Sequence, residues 1–119
     1  MASALECVPS RNIIYRDLKP TNIGFTCDRT LNLFDFGLAC ELIPSKQKAA
    51  GIIGTIRYMT PEVCLGQEYD CDCDIYCYAI VCYELWTQCL PYETLIPELY
   101  QAYVCRRRRG YRPNQDQQK

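Results

Sequence analysis

Apolar and polar positions change over in short bursts along the first third of the chain and then lengthen into two helical stretches. Ala2 to Val8 reads as the end of a helix closed by Pro9, because the residue before a proline is pushed away from helical angles. Asn12 to Tyr15, Ile23 to Phe25 and Leu31 to Phe34 are short strand-like pieces. The last two flank Thr26 to Thr30, whose Cys-Asp-Arg centre predicts a hairpin turn. Gly37 to Thr60 keeps neither period, and Pro44, Gly51 and Gly54 break any helix, which predicts one long loop. Thr60-Pro61 opens a short helix, with threonine as N-cap and proline at the first helical position. Asp72 is expected to cap a longer helix that runs through about Thr87. Ile75, Tyr76, Ala79, Ile80, Val81, Cys82, Tyr83, Leu85 and Trp86 surround that helix almost completely, the pattern of one buried on most sides. A last helix starts at Pro97 and runs into Arg106 to Arg109, where cations suit the negative end of the helix dipole. Gly110 to Lys119 is polar and aperiodic, and no internal repeat is present. The expected class is α+β, mainly α.

Composition narrows the chemistry. With 119 residues one domain is expected. Thirteen basic against 14 acidic side chains argue against a general nucleic-acid or membrane-surface binder, so neither partner is expected. The absence of histidine removes Ser-His-Asp and Cys-His catalysis and every histidine metal site. The longest apolar run, Ile75 to Tyr83, is far short of the roughly 20 residues that span a bilayer. Met1 to Ser10 has no basic start followed by an apolar stretch, so an intracellular, cytoplasmic protein is expected and the ten cysteines are read as reduced thiols. A zinc site from Cys71, Cys73, Cys77 and Cys82 is the sharper alternative, but it contains no C-x-x-C pair. Tyr76, Tyr78, Tyr83 and Trp86 are read as helix packing rather than a base-stacking platform, and Arg106 to Arg109 as a solvated helix end.

The chemistry concentrates in two loops. Tyr15-Arg16-Asp17-Leu18-Lys19-Pro20-Thr21-Asn22 lies between two strand-like pieces, and Asp35-Phe36-Gly37 follows a third. Asp17, Lys19 and Asn22 offer a proton acceptor, a cation and a neutral oxygen ligand. The hairpin can return a second carboxylate, Asp35, to the same place. Asn22 and Asp35 make a hard, oxygen-only pair suited to magnesium with room for phosphate oxygens. The combination points to phosphoryl transfer.

These strings resemble the protein kinases. Tyr15 to Asn22 resembles the catalytic loop H-R-D-L-x-x-x-N with tyrosine in place of histidine, and Asp35-Phe36-Gly37 matches D-F-G. Gly54 to Glu62 resembles the substrate-binding loop ending in A-P-E, with Thr60 for alanine, and Asp74 to Ala79 resembles the start of the large lobe's central helix. Four strings in the family's order, covering roughly residues 5 to 113, point to the Ser/Thr type, with the tyrosine-kinase-like group left open within it.

The resemblance implies a partial kinase large lobe in residues 1–113, with a short β-hairpin that carries the catalytic and metal loops. Its parts are a catalytic loop at 15–22, an activation segment at 35–62, a central helix at about 73–87 and a last helix at about 97–108. Residues 114–119 form a polar tail. It implies ATP and Mg2+ as cofactors and a protein substrate. Asp17 would accept the substrate hydroxyl's proton and Lys19 would neutralise the transferring phosphoryl group. Asn22 and Asp35 would hold the metal. Arg16 would grip an activation-segment phosphate, with Ser45, the only hydroxyl between Gly37 and Thr55, as its site. Lys19 together with Thr55 marks the Ser/Thr class. Tyr15 would pack on Phe36, Gly37 completes the D-F-G string, Asp74 would tie the central helix to the catalytic loop, and Glu62 would pair with a late arginine. Gly24 stands where the family commonly has a branched apolar residue under the adenine ring. The chain begins just before the catalytic loop, without a Gly-rich loop or a V-A-I-K lysine. Losing that lysine and two loop amides would remove on the order of 8 to 12 kcal/mol of transition-state stabilisation, so little catalysis is expected from the chain alone. The alternative is a non-catalytic kinase-like binding module or a truncated gene product.

Overall fold

The computed structural model describes residues 12–43 and 47–108. The helix expected at Ala2 to Val8, Ser45, and the stretch from Arg109 onward lie outside the described residues. Four short strands and three helices are present among those described: β1 Ile13–Ile14, β2 Ile23–Phe25, β3 Leu31–Leu33, β4 Cys40–Glu41, α1 Pro61–Cys64, α2 Asp72–Thr87 and α3 Pro97–Arg108. Single 3-10 turns occur at Pro20–Asn22 and Ile56–Tyr58.

β2 and β3 form the expected antiparallel hairpin, with Ile23 opposite Leu33, Gly24 opposite Asn32 and Phe25 opposite Leu31. Its turn closes because Arg29 takes a left-handed conformation (φ 66°) and the Asp28 carboxylate accepts the Thr30 N–H at 3.0 Å. Side chains alternate across a strand, so Ile23 and Leu33 share one face and pack on the cluster formed by Tyr15, Leu18, Tyr58, Cys77 and Val81.

The stretch from Gly37 to Thr60 is not one uninterrupted loop. Cys40 and Glu41 pair antiparallel with β1 (Ile14 with Cys40, Ile13 with Glu41), Ala49 bridges to Tyr69, and Ile56–Tyr58 makes a helical turn. Two-residue strands are too short to display a period, and their pairing is chosen by the partner rather than by local propensity.

α1 starts as predicted: the Thr60 hydroxyl accepts the Val63 N–H at 3.4 Å and Pro61 fills the first position. α2 starts differently. Asp72 is its first helical residue and Cys71 its N-cap, without a side-chain cap, while the Asp70 carboxylate accepts the Asp72 N–H at 3.1 Å. The predicted cap fails because the chain already turns earlier, with Cys73 N–H on the Asp70 carbonyl at 3.2 Å and Asp74 N–H on the Cys71 carbonyl at 3.0 Å, which puts Asp72 inside the helix. At the other end Gln88 adopts a left-handed conformation (φ 55°) and donates to the Glu84 carbonyl at 2.8 Å.

α2 is buried on one face, not on most sides. Cys73, Asp74, Cys77 and Val81 are buried, whereas Ile75, Tyr83 and Leu85 are exposed and Trp86 is 89% exposed. Buried positions at 73, 77 and 81 recur at the helical spacing of four, so the helix seats a single stripe. That stripe joins two apolar clusters. Cys73 packs with Ile14, Leu42, Met59, Val63 and Tyr100, and Cys77 and Val81 pack with Tyr15 and Leu18. No helix among the described residues is long and apolar enough to cross a membrane.

Candidate active site

The loop between β1 and β2 is anchored before it reaches its polar residues. Tyr15 and Leu18 are fully buried, and Asp74 from α2 rises beneath them. Its carboxylate accepts the Tyr15 N–H at 2.7 Å and the Arg16 N–H at 2.9 Å. Arg16 sits at φ 69°, a left-handed turn that presents two successive main-chain donors to one acceptor. Burial pushes the Asp74 carboxyl above its ordinary range, against the two hydrogen bonds and the Arg16 charge that favour the anion.

Asp17 is the centre of the site. Its Oδ1 accepts from the Thr55 hydroxyl at 2.6 Å, and its Oδ2 accepts from Lys19 Nζ at 2.9 Å and Asn22 Nδ2 at 3.1 Å. Asn22 Nδ2 also donates to the Asp17 carbonyl at 2.9 Å, and Lys19 Nζ donates to Thr55 Oγ1 at 3.0 Å. Burial acts to raise the Asp17 pKa, but the contacts from Lys19, Thr55 and Asn22 together outweigh it and hold the carboxyl below its usual range. Asp17 is therefore an anion at neutral pH. Thr55 reaches it from far along the chain because Gly54 (φ 118°) lies against the loop: a Cβ there would fall 2.3 Å from the Arg16 carbonyl oxygen.

Asp35 stands apart from this cluster. It is exposed, adopts φ 56°, and its Oδ1 accepts the Gly37 N–H at 3.2 Å. Its neighbours are held more firmly. The Phe34 N–H donates to the Asn22 carbonyl at 2.9 Å, and the Tyr15 hydroxyl donates to the Phe34 carbonyl. Tyr15 also meets Phe36 edge-on, with ring centroids 5.0 Å apart. One side chain thus grips the segment on both sides of Asp35, and burial pushes the Tyr15 phenol up to about 12. The Phe34 ring lies across Gly24, where a Cβ would meet it at 2.7 Å. Space that a branched residue at 24 would take is filled by the residue that follows β3.

Two further residues singled out in the sequence, Arg16 and Glu62, have partners or positions of their own. Arg16 Nε donates to the Leu38 carbonyl at 2.5 Å and Nη1 to the Tyr69 hydroxyl at 3.4 Å. Glu62 lies in the first turn of α1, half-buried, where its charge suits the helix dipole. Other contacts escape inspection of the motifs. Arg57 Nη1 donates to the Pro91 and Tyr92 carbonyls at 2.8 and 2.9 Å, and the Tyr58 hydroxyl donates to Glu84 at 2.7 Å, so the turn before α1 is tied to the last part of α2 and to the segment that follows it. Neither pairing has a local signal, since each joins residues more than 25 positions apart.

The donor chemistry suits a hard cation. Asn22 spends its amide nitrogen on Asp17, so its side-chain oxygen is the atom left for a cation, and Asp35 follows the hairpin with an exposed carboxylate. Oxygen ligands of this type, two from the protein with the rest from water and phosphate, are the usual magnesium set.

Comparison with known proteins decides the family. The family model described as protein kinase domain matches residues 1–116. The chain belongs to the protein kinase domain family. Its kinase-domain relatives include Aurora kinase B of Drosophila melanogaster, 38% identical over 94 residues, which are 79% of this chain and 28% of that protein. Human ribosomal protein S6 kinase alpha-1 is 39% identical over 93 residues, 78% of this chain and 13% of that kinase. Human rhodopsin kinase is 40% identical over 81 residues, 68% of this chain and 14% of that kinase. The chain thus spans between about an eighth and just over a quarter of the length of the curated kinases it matches.

Proposed function

We propose that the chain carries the catalytic loop and metal-binding segment of a Ser/Thr protein kinase large lobe, which transfers the γ-phosphoryl group of ATP to a serine or threonine hydroxyl of a protein. The observation that carries this reading is the Asp17 carboxylate, fixed through both oxygens by Thr55, Lys19 and Asn22 and held as an anion. An acceptor oriented in this way can align an incoming hydroxyl and take its proton as the oxygen–phosphorus bond forms and ADP leaves. Lys19 Nζ, between Asp17 and Thr55, brings a positive charge to the place where phosphoryl charge would accumulate. Asn22 through its carbonyl oxygen and Asp35 through its carboxylate would hold magnesium, whose charge neutralises phosphate oxygens when bound. Arg16 and Ser45 form the proposed phosphate-gripping pair of the activation segment, for which Ser45→Ala in the full-length protein should lower both phosphate content and activity.

The test is nucleotide binding to the purified chain. Magnesium-ADP should raise its melting temperature, Asp35→Ala should abolish that shift, and Asp17→Asn should keep the shift while removing any transfer to a peptide hydroxyl. If the parent chain shows no shift at millimolar nucleotide, the reading fails. A binding module is the second reading, favoured by the exposed Ile75, Tyr83, Leu85 and Trp86 on α2. Nucleotide binding with no transfer from magnesium-ATP to a peptide hydroxyl would select it.

A further inference from the structure

Between Asp35 and Thr55 the chain has to return to Asp17; it pairs first with β1 through Cys40–Glu41 and is docked again at Ala49. Ala49 and Tyr69 exchange both main-chain hydrogen bonds, Ala49 N–H to the Tyr69 carbonyl at 2.7 Å and Tyr69 N–H to the Ala49 carbonyl at 2.9 Å. Next to this bridge Lys48 Nζ forms an ion pair with the Asp70 carboxylate, whose other oxygen accepts the N–H that starts α2. The contact has a buried part and an exposed part. Tyr69 is 2% exposed within the larger apolar cluster, while the Lys48 and Asp70 side chains are 44% and 35% exposed.

Tyr69 connects this contact to the active loop. Its hydroxyl receives Arg16 Nη1 at 3.4 Å and donates to the Ala50 carbonyl at 3.5 Å, and Arg16 adjoins Asp17. Past Ala50 come Gly51 (φ 102°) and Gly54 (φ 118°), two points where the main chain adopts angles that residues with a Cβ avoid. The segment therefore has a dock on one side and two glycine-dependent bends before Thr55.

We infer that Lys48 and Asp70 form a charge latch that closes residues 47–50 onto the start of α2 and so positions Thr55 against Asp17. Lys48 is a positioning residue in this arrangement, acting through the segment rather than on substrate. Two main-chain hydrogen bonds and one exposed ion pair are a small contact, of the kind that opens locally without unfolding the clusters beneath it. Its strength depends on the sign of the charge at 48, because Asp70, Glu68 and Asp72 all act on Lys48. Salt weakens it, since exposed charges are screened within about 10 Å at 0.1 M ionic strength. The latch does not depend on phosphoryl transfer and stands whether or not the chain binds nucleotide.

Amide hydrogen exchange by NMR on the 119-residue chain tests the latch. Lys48→Glu should lower protection of the Ala49 and Tyr69 amides by about threefold to tenfold, the range expected when an exposed pair is replaced by repulsion. The Val81 amide, in the core of α2, should stay unchanged. Lys48→Arg keeps the charge and should hold all three at parental protection, and raising the salt should erode the parent toward Lys48→Glu. If Lys48→Glu leaves Ala49 and Tyr69 as protected as in the parent, or lowers Val81 equally, the latch is refuted.

Discussion

Replacing Asp74 with alanine is the most direct perturbation of what holds the candidate site together. The side chain is 3% exposed and accepts two main-chain N–H groups, from Tyr15 and Arg16. Hydrogen bonds to a charged group contribute about 1.5 to 3 kcal/mol each, and a buried donor left without a partner bears its full desolvation cost. Two such losses come to about 3 to 6 kcal/mol. Burial of the carboxylate is itself unfavourable, which its raised pKa records, so the net loss should fall toward about 3 kcal/mol. Against the roughly 5 to 15 kcal/mol that stabilises an ordinary domain, that is a large share. Asp74→Asn keeps one acceptor and turns an NH2 group toward the other donor, so about 2 kcal/mol is expected. Urea denaturation should be followed by far-UV circular dichroism, because Trp86 is already 89% exposed and its fluorescence would report little. Exchange of the Tyr15 and Arg16 amides gives the local readout. Should Asp74→Ala cost less than about 1 kcal/mol, with both amides as protected as in the parent, the anchoring role argued for Asp74 is wrong.

Other expectations follow from single contacts. Gly54→Ala should cost more than about 2 kcal/mol, since it combines a positive φ with a Cβ 2.3 Å from the Arg16 carbonyl, whereas Gly66→Ala, at φ 66° with its nearest neighbour at 3.7 Å, should cost about 1 kcal/mol; urea midpoints compare the two. Because the folded pKa of Asp17 lies below its ordinary 3.8, its contribution to stability is complete above that value and is lost as pH falls through the folded value. Carboxyl NMR titration should place Asp17 below 3.8 in the parent and higher in Lys19→Ala. Alkylation read by mass spectrometry should modify the exposed Cys27 and Cys89 first and spare Cys64, Cys73 and Cys77, which are buried; burial also pushes the Cys73 and Cys77 thiols up, away from the reactive thiolate.

Much of the site is legible in the chain because its members are close together. Asp17, Lys19 and Asn22 fall within six residues, and Asn22 folds back on Asp17 through a single 3-10 turn at Pro20–Asn22. The hairpin that brings Asp35 back is equally local, set by strand alternation and a turn that Arg29 and Asp28 close. Thr55 is visible as a residue type but not as a ligand of Asp17, because its contact depends on the Gly54 approach across 38 positions. The start of α2 is not legible for a related reason: several acidic residues stand near the helix start, and only the folded loop decides that Asp70 reaches the first amide.

Periodicity and turn chemistry alone determine the hairpin, the helix that begins at Pro61, the presence of the two longer helices and the closeness of Asp17, Lys19 and Asn22. Those features rest on forces that act within a few residues: strand alternation, proline and glycine angles, and capping. Tertiary structure decided the rest. It paired Cys40–Glu41 with β1, seated one stripe of α2 while leaving Ile75 and Trp86 to solvent, set Asp74 under two main-chain amides, and brought Thr55 to the Asp17 carboxylate. Each of these depends on groups distant in sequence meeting in a buried place, where an unpaired donor or charge is costly and the partner that satisfies it is chosen by the whole fold.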